Sequence, residues 1–151
     1  MGSDAEVVLG VIRAVEERDG EKLLELYHED VQLHEAPSLP YGGVVDGVPS
    51  LREQLESAPE NTWLGTWGPL QPTEAERRFD PRVISEKDGE VVVLYQMRAV
   101  SPSGERFDSP LIGLYEVRDG KLARAQMFHF DTQAINEFVG RAREASSQEA
   151  A

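Results

Sequence analysis

The chain has 151 residues, of which 40% are hydrophobic and 28% charged, a composition that predicts one globular domain with its own core. Its formal net charge of -13 argues against nucleic-acid and anionic-membrane partners, because both need a basic surface. The absence of cysteine excludes thiol nucleophiles, cysteine-bound zinc and iron–sulfur clusters. The sequence has no apolar run of membrane-spanning length and no secretory or lipidation signal, so we expect a cytoplasmic protein.

We expect the domain to cover residues 4–145. Residues 1–3 look like a start or a cloning remnant, and the small polar residues 146–151 predict an end that frays. The three histidines lack the short paired spacing of a metal site, although His34 and Glu35 are a possible pair of ligands. Gly-rich phosphate loops and G-x-S-x-G elbows do not occur in the sequence either, so we expect no metal and no cofactor.

Two helices are predicted at the beginning of the chain. Apolar residues recur at helical spacing over residues 4–18, where Asp4 can cap the start and Asp19-Gly20 ends the run. A shorter helix with a leucine-rich buried side follows over residues 21–28.

A strand and a long loop come next. Alternation in V-Q-L-H-E places Val31, Leu33 and Glu35 on one face, so burial of the two apolar residues would bring Glu35 inward as well. The loop over residues 36–47 is rich in proline and glycine and carries Tyr41 at its middle. Because functional residues often lie on such loops, Tyr41 is a candidate contact for a ligand.

A third helix is predicted from Val48 to a stop at Ser57-Ala58-Pro59. Trp63 and Trp67 follow it, four residues apart, and either continue a helix or line a loop. We favour a hydrophobic lid over the core for this pair, with stacking on a substrate as the alternative.

The second half of the chain has the signals of a sheet. Turn residues separate β-rich segments, which predicts a meander of long strands. The strands are expected within 74–86, 91–100, 107–117 and 121–131, and the turns at 87–89, 102–104 and 118–120. Asp131 or Thr132 can cap a final helix with an apolar stripe. This order predicts an α+β fold in which helices cover one face of a curved, mostly antiparallel sheet.

The last strand, residues 121–131, has two possible inner faces. One face holds small residues and a histidine, namely Ala123, Ala125, Met127, His129 and Asp131. The other face holds Leu122, Arg124, Gln126, Phe128 and Phe130. The small residues would leave space for a ligand beside His129, which can give and take a proton near neutral pH. Alternation alone does not choose between the two registers.

Four segments are typical of one superfamily: L-Y-H-E-D-V, E-A-P-S-L-P-Y-G-G-V-V-D-G, L-Y-E-V-R-D-G-K-L and M-F-H-F-D. Through them, nearly the whole chain resembles the nuclear transport factor 2-like superfamily, and within it the SnoaL-like polyketide cyclases and limonene epoxide hydrolase relatives. The resemblance implies a cone-shaped half-barrel around an apolar cavity, commonly in a homodimer built on the outer sheet face. The superfamily includes isomerases, cyclases, hydrolases, dehydratases and proteins without chemistry, so the fold does not name the reaction.

Limonene epoxide hydrolase activates water with two aspartates bridged by an arginine. The positions that match the aspartates here are Gln96 and Met127, and Leu94 matches the arginine, so the hydrolytic triad is missing. Glu35 takes the position of a water-positioning asparagine in that family.

The same resemblance predicts an inner face for the strand over residues 91–100. It directs Gln96 and Arg98 into the cavity, together with Ser109 and His129 from other strands. The opposite face is the better apolar core, consisting of Val91, Val93, Tyr95, Met97 and Ala99. If that face is inward, Tyr95 replaces Gln96 and Arg98 in the pocket. We favour the first register.

Glu35 and His129 are the residues that we expect to carry acid–base chemistry. A carboxylate in an apolar cavity has a raised pKa, and a nearby imidazole can hold the complementary proton. Arg98 or Tyr41 could then stabilise an enolate oxygen. The substrate is expected to contact the other predicted cavity residues, namely Leu33, Tyr41, Trp63, Gln96, Arg98, Ser109 and Met127.

Structural roles are the alternative for these residues. Glu35 could form a buried ion pair with Arg98, and His129 could bond to Asp131 or to backbone. Tyr41 could simply pack its loop against the sheet. The sequence thus allows three hypotheses: a cofactor-independent SnoaL-like cyclase or isomerase acting on an apolar, polyketide-like molecule, a variant that opens an epoxide, and a ligand-binding or scaffold protein without turnover.

Overall fold

The computed structural model describes residues 3–150, in which six strands form one open sheet. The strands are β1 (Tyr27–Glu35), β2 (Gly43–Asp46), β3 (Arg82–Lys87), β4 (Glu90–Val100), β5 (Arg106–Arg118) and β6 (Lys121–His129). Their order across the sheet is β2-β1-β6-β5-β4-β3. Every neighbouring pair is antiparallel except β1 and β6, which are parallel. The predicted α+β fold with a mostly antiparallel sheet is confirmed.

The described residues also form six α-helices and one 3₁₀ turn. The helices are α1 (Asp4–Glu16), α2 (Gly20–Leu26), α3 (Val48–Ser57), α4 (Trp63–Trp67), α5 (Glu74–Arg77) and α6 (Thr132–Ala150), and the 3₁₀ turn is Gly68–Leu70. Helix α1 packs across β4, β5 and β6, while α3 contacts β1 and β2. The helices therefore lie over the inner face of the sheet, where the core forms.

The cap of α1 is one residue earlier than predicted. The side-chain oxygen of Ser3 accepts the backbone N–H of Glu6 at 3.2 Å, so Ser3 is the cap. Asp4, the predicted cap, is the first helical residue, where its negative charge is favourable for the helix dipole.

The second helix ends earlier than the predicted boundary at His28. Tyr27 has an extended backbone and pairs with Leu122 of β6, so the chain is already a strand at this position. The local sequence pattern extends the predicted helix to His28, but pairing of Tyr27 with a distant strand outweighs this local propensity.

The segment before β3 contains a helix where we predicted a strand. Thr73 and Glu76 have the spacing of a capping box, and the Thr73 hydroxyl hydrogen-bonds to the Glu76 carboxylate. The short helix α5 begins there, and the strand itself does not start until Arg82. A strand was predicted within 74–86, and β3 occupies the last part of that range and one residue beyond it.

Asp-Gly turns connect the long strands as predicted. Asp88 and Gly89 have φ angles of 51° and 82°, and Asp119 and Gly120 have φ angles of 55° and 72°. Two successive residues with positive φ are the geometry of a tight hairpin turn whose twist matches that of the strands.

The final helix begins at the predicted cap and is longer than predicted. Asp131 accepts the backbone N–H of Ala134 at 3.0 Å, and the helix continues to Ala150. Its buried stripe consists of Ile135, Phe138, Val139 and Ala142. The polar segment from residue 146 is thus helical through Ala150, while residues 1, 2 and 151 of the predicted flexible ends lie outside the described residues.

The inner face of β4 is the apolar one. Its buried side chains are Val91, Val93, Tyr95, Met97 and Ala99. Gln96 and Arg98 lie on the opposite, outer face, so the register that we favoured for this strand was wrong. Burial of five apolar side chains contributes several kcal/mol, which the inward placement of two polar side chains cannot match.

The inner face of β6 is the alanine face. Ala125, Met127 and His129 point inward, whereas Phe128 is half exposed on the outer face. A register shift between Glu116 and Val117 of β5 accommodates one extra residue of β6, so Leu122 joins Ala125 on the inner face.

Candidate functional site

A cavity of about 680 Å³ lies between the inner face of the sheet and helices α1 to α4. Its wall is largely apolar and includes Ile12, Leu33, Trp63, Met97, Leu111 and Met127. Such a volume is large enough for a ligand of two or three rings. A few polar side chains break the apolar wall, and their positions determine what the cavity can bind.

Glu35 and His129 form a hydrogen-bonded pair inside this cavity. Glu35 is the last residue of β1 and His129 the last residue of β6, and the parallel pairing of these strands brings their ends together. Oε1 of Glu35 lies 3.2 Å from Nε2 of His129. The two side chains are 15% and 2% exposed, respectively. The inward direction predicted for both residues is confirmed.

The charge of Glu35 is unfavourable in this environment. Burial raises the pKa of its carboxyl above the ordinary value of 4.5, and the hydrogen bond and charge of His129 oppose this shift. A carboxylate with a raised pKa is a stronger base than an exposed one. The pair can therefore accept and return a proton within a largely apolar cavity.

Tyr41 contributes a hydroxyl group without a partner. Its ring is buried and packs edge-on against His129 at 6.4 Å and Trp67 at 6.1 Å between centroids. The hydroxyl oxygen has no hydrogen-bond partner among the described residues. Burial, and then the charge of Glu35, raise the pKa of Tyr41 well above 10, so the hydroxyl stays protonated as a donor.

The loop that carries Tyr41 folds tightly because of the glycine that follows it. A Cβ atom at Gly42 would lie 2.3 Å from the carbonyl oxygen of Ala36, which no side chain can tolerate. The backbone N–H of Gly42 donates to the carbonyl of Leu39 at 2.9 Å and closes the loop. The residue after Tyr41 must therefore be glycine for steric reasons. The tight loop that this glycine allows holds the ring of Tyr41 against the cavity.

Two further tyrosines form a hydrogen-bonded chain along the sheet. Tyr115 donates its hydroxyl to the hydroxyl oxygen of Tyr95 at 2.9 Å, and Tyr95 donates to the sulfur of Met127 at 2.9 Å. Burial raises the pKa of both phenols above 10, so both stay protonated. All three residues line the cavity next to the Glu35–His129 pair.

The predicted ligand contacts divide into two groups. Leu33, Trp63 and Met127 line the cavity as predicted. Ser109 faces the inner side of the sheet opposite Met97, but it is not part of the cavity wall.

Gln96 and Arg98 do not reach the cavity, so this prediction was wrong for both. Arg98 instead pairs on the outer face with Asp80 at 2.8 Å and with Asp108 at 3.4 Å. The suggested ion pair between Glu35 and Arg98 is therefore absent. Asp108 is exposed on the outer face.

Several polar residues of the cavity were not predicted from the sequence, among them Arg18, Tyr27 and Tyr115. Tyr115 lies in a segment used only as a family signature, although its alternation with Leu111 would have placed it inward. Arg18 follows a helix that was considered only for its apolar face. Trp67 is fully buried between Tyr41 and Phe138, which confirms its structural role.

Across residues 3–150, no three side chains of histidine, aspartate or glutamate are grouped as metal ligands would be. The pair His34 and Glu35 diverges because consecutive residues of β1 point to opposite faces of the sheet. Within the same described range, none of the helices is both long and apolar enough to cross a membrane.

Comparison with known proteins places this geometry in a family. A family model described as a SnoaL-like domain matches residues 8–125. The structure of TerC co-crystallised with polyporic acid is 24% identical, with a TM-score of 0.72 over 91% of this chain and 98% of that chain. An NTF2-like protein of unknown function from Burkholderia pseudomallei is 18% identical, with a TM-score of 0.72 over 92% and 98%.

A third solved structure is the epoxide hydrolase/cyclase-like enzyme SalBIII, studied for pyran ring formation in the polyether salinomycin. It is 17% identical, with a TM-score of 0.59 over 83% of this chain and 89% of that chain. No curated protein sequence matches the chain. At these identities the solved structures show a shared fold, whereas the family model covers well over half of the sequence. The chain belongs to the SnoaL-like family and has the NTF2-like fold.

Proposed function

We propose that this protein is a cofactor-independent cyclase or isomerase that moves a proton within an apolar, polyketide-like molecule held in the cavity. The observation that carries the proposal is the contact between Glu35 Oε1 and His129 Nε2, 3.2 Å apart in a largely apolar chamber. Membership of the SnoaL-like family supports it, and so does the co-crystal of the relative TerC with polyporic acid.

Glu35 is the base in this proposal. Its carboxylate removes a proton from the carbon next to a ketone, and the C–H electron pair moves onto the carbonyl oxygen to give an enolate. His129 holds Glu35 in place and shares the transferred proton through Nε2. Return of the proton to another carbon completes an isomerisation. Alternatively, the enolate carbon attacks a second carbonyl carbon of the same molecule, the C=O π electrons move onto its oxygen, and this oxygen takes the proton from Glu35 as the ring closes.

Tyr41 is the donor to the enolate oxygen. Its buried hydroxyl lacks a protein partner among residues 3–150, so an oxygen of the ligand can complete its hydrogen bonding. A preorganised donor directed at developing negative charge is worth about a hundredfold or more in rate. Because its pKa is raised, Tyr41 donates the hydrogen bond without giving up the proton.

Solvent exchange tests the proposal without knowledge of the natural substrate. 2-Tetralone, an apolar bicyclic ketone, is incubated with the protein in D₂O, and deuterium incorporation next to the carbonyl is followed by NMR. We expect Glu35→Gln to lower the enzyme-catalysed exchange by at least about 100-fold, because the amide cannot accept the proton. Glu29→Gln is the matched control, since Glu29 is exposed and outside the cavity. Full exchange in Glu35→Gln would disprove Glu35 as the base.

Binding without turnover is the second candidate function. The carboxylate of Glu35 is already hydrogen-bonded to His129, and the cavity wall is mainly apolar, so the site also suits an apolar ligand that does not react. In that case 2-tetralone binds, but its exchange in the presence of the wild-type protein is no faster than in buffer.

A further inference from the structure

Arg18 is a cation in the wall of the cavity. It is the one lysine or arginine among the described residues that line it. Its guanidinium lies over the ring of Trp63, 5.5 Å from the centroid. It donates to the carbonyl of Val15 at 3.1 Å and to the side-chain oxygen of Gln71. A guanidinium has five N–H donors, so three of them remain for a ligand.

The charge of Arg18 is not neutralised within the described part of the protein. None of the ion pairs found in residues 3–150 includes Arg18 or Arg77. Arg77 donates to the backbone carbonyl of Gln71 at 2.9 Å, so two guanidinium groups flank that residue. Burial, and then the nearby charge of Arg77, lower the pKa of Arg18 to about 10. An anion at this position would relieve both effects.

Besides Glu35, two carboxylates lie in the cavity wall, and both are otherwise engaged or directed to solvent. Asp19 caps α2 by accepting the backbone N–H of Lys22 at 3.0 Å. Glu53 is exposed on α3. Neither forms an ion pair with Arg18, which therefore remains open to a ligand.

The backbone at Arg18 adopts a conformation that usually selects glycine. The N–H of Asp19 donates to the carbonyl of Ala14 at 2.9 Å, and the N–H of Arg18 donates to that of Val15 at 3.2 Å. These two bonds define a Schellman motif at the end of α1, with Arg18 in the left-handed region at φ 57°. The turn projects the side chain of Arg18 over Trp63 and into the cavity wall.

Arg18 is linked through Gln71 to β4, whereas Glu35 and His129 are residues of β1 and β6. Gln71, which holds Arg18, donates to the backbone carbonyl of Arg98 in β4 at 2.8 Å. Glu35 is in β1, and three strand spacings of about 4.8 Å, roughly 14 Å in all, separate β1 from β4. A ligand that contacts both Arg18 and Glu35 must therefore extend across several strands of the inner face.

We infer that the cavity selects an amphiphilic anion, in which a carboxylate or an acidic enol binds Arg18 while the apolar ring system extends to Glu35 and His129. This inference rests on the proposed function for the role of Glu35, and it adds the substrate class. The anion takes the three free N–H donors of Arg18, and the ring body fills the apolar wall between Trp63 and Met127.

Matched probes test the charge requirement. Calorimetric titration compares 2-naphthoate with 2-naphthamide, which has the same ring system and nearly the same shape but no charge. We expect the wild-type protein to bind the naphthoate at least about tenfold more tightly, and Arg18→Met to remove this preference while keeping the apolar stem. Arg18→Lys should restore part of it. Equal binding of both probes by the wild type, or binding of neither, overturns the inference.

Two controls separate this result from other effects. Arg13→Met removes the same charge from an exposed position of α1 and should leave the preference for naphthoate unchanged. Glu29→Gln should also keep the preference, because Glu29 is exposed and lies outside the cavity. If naphthoate binding depends on Arg18 but 2-tetralone does not exchange, the proposed chemistry fails and the anion site stands. A preference that persists in Arg18→Met shows that another group binds the anion, which contradicts the inference.

Discussion

Burial of Glu35 makes its carboxylate a stronger base for proton transfer, and it also lowers the free energy of unfolding of the protein. Burial raises the pKa of the Glu35 carboxyl above its ordinary value of 4.5. Between that value and the folded-state pKa, the native protein binds more protons at this site than the unfolded chain does. The contribution of Glu35 to the free energy of unfolding therefore falls as pH rises through this window.

The variant Glu35→Gln should accordingly be more stable than the wild type at about pH 8. Glutamine keeps a polar contact with His129 but places no charge in the cavity, and sites built for chemistry commonly reduce stability in this way. Urea unfolding at a series of pH values measures the difference. We expect the advantage of the variant to shrink as pH falls towards 4.5, where Glu35 becomes protonated in both states. An advantage that grows on acidification would contradict the assigned direction of the pKa shift.

Single residues differ in how well the sequence predicted them. The inward direction of the Glu35 side chain could be predicted from Val31 and Leu33, because two apolar residues at alternate positions determine which face of the strand is buried. Gln96 and Arg98 were misplaced because a distant resemblance was given more weight than the apolar face of their own strand. Burial of that face decides the register.

At the scale of an element, β5 depends on one glycine. The ring of Tyr115 lies across Gly113, and a Cβ atom at Gly113 would come within 2.4 to 2.7 Å of it. Gly113 is opposite Met127 of β6, so the missing side chain lets Tyr115 reach across to the Tyr95–Met127 contact. Glycine normally weakens a strand, and here it makes space for the hydrogen-bonded tyrosines.

Gly113→Ala should therefore destabilise the protein by about 1–3 kcal/mol, because Tyr115 must leave a buried position. Gly140→Ala is the control, since a Cβ atom there would have no other atom within 4 Å and alanine favours a helix by about 0.5–1 kcal/mol. Thermal or urea unfolding of both variants measures the effect. Equal stability of the two would show that Tyr115 moves aside without loss.

Element boundaries were predicted less well than element types. The end of α2 at Leu26 depends on the pairing of Tyr27 with Leu122, and the bulge in β6 depends on its pairing with β5. A local sequence pattern contains neither of these contacts. The late start of β3 is different, because the capping-box spacing of Thr73 and Glu76 was present in the sequence and could have been recognised.

At the scale of the whole molecule, the outer sheet face presents exposed apolar side chains. Ile112 and Phe128 are paired across β5 and β6 and are 41% and 50% exposed, and Phe130 beside them is 80% exposed. Exposed aromatic residues grouped on one face are typical of an interface. The face suits a second copy of this chain, as the family resemblance implies.

We predict a homodimer that becomes tighter as salt increases. Each subunit has a net charge of -13, so association brings like charges together and screening favours it. Light scattering after size exclusion, at about 0.05 and 0.5 M salt, measures the mass. Phe128→Glu should give a monomer, whereas Phe128→Tyr should remain dimeric. A wild-type monomer at both salt concentrations and about 100 μM protein would refute this prediction.

The Glu35–His129 hydrogen bond joins residues that are 94 positions apart, at the ends of the first and last strands. Contacts of such long range raise the contact order and form late, because a large loop must close first. In a nascent chain whose β6 is still inside the ribosome, Glu35 has been synthesised and exposed, but His129 is not yet available to bond to it. The acid–base pair therefore requires that the last strand is inserted beside β1.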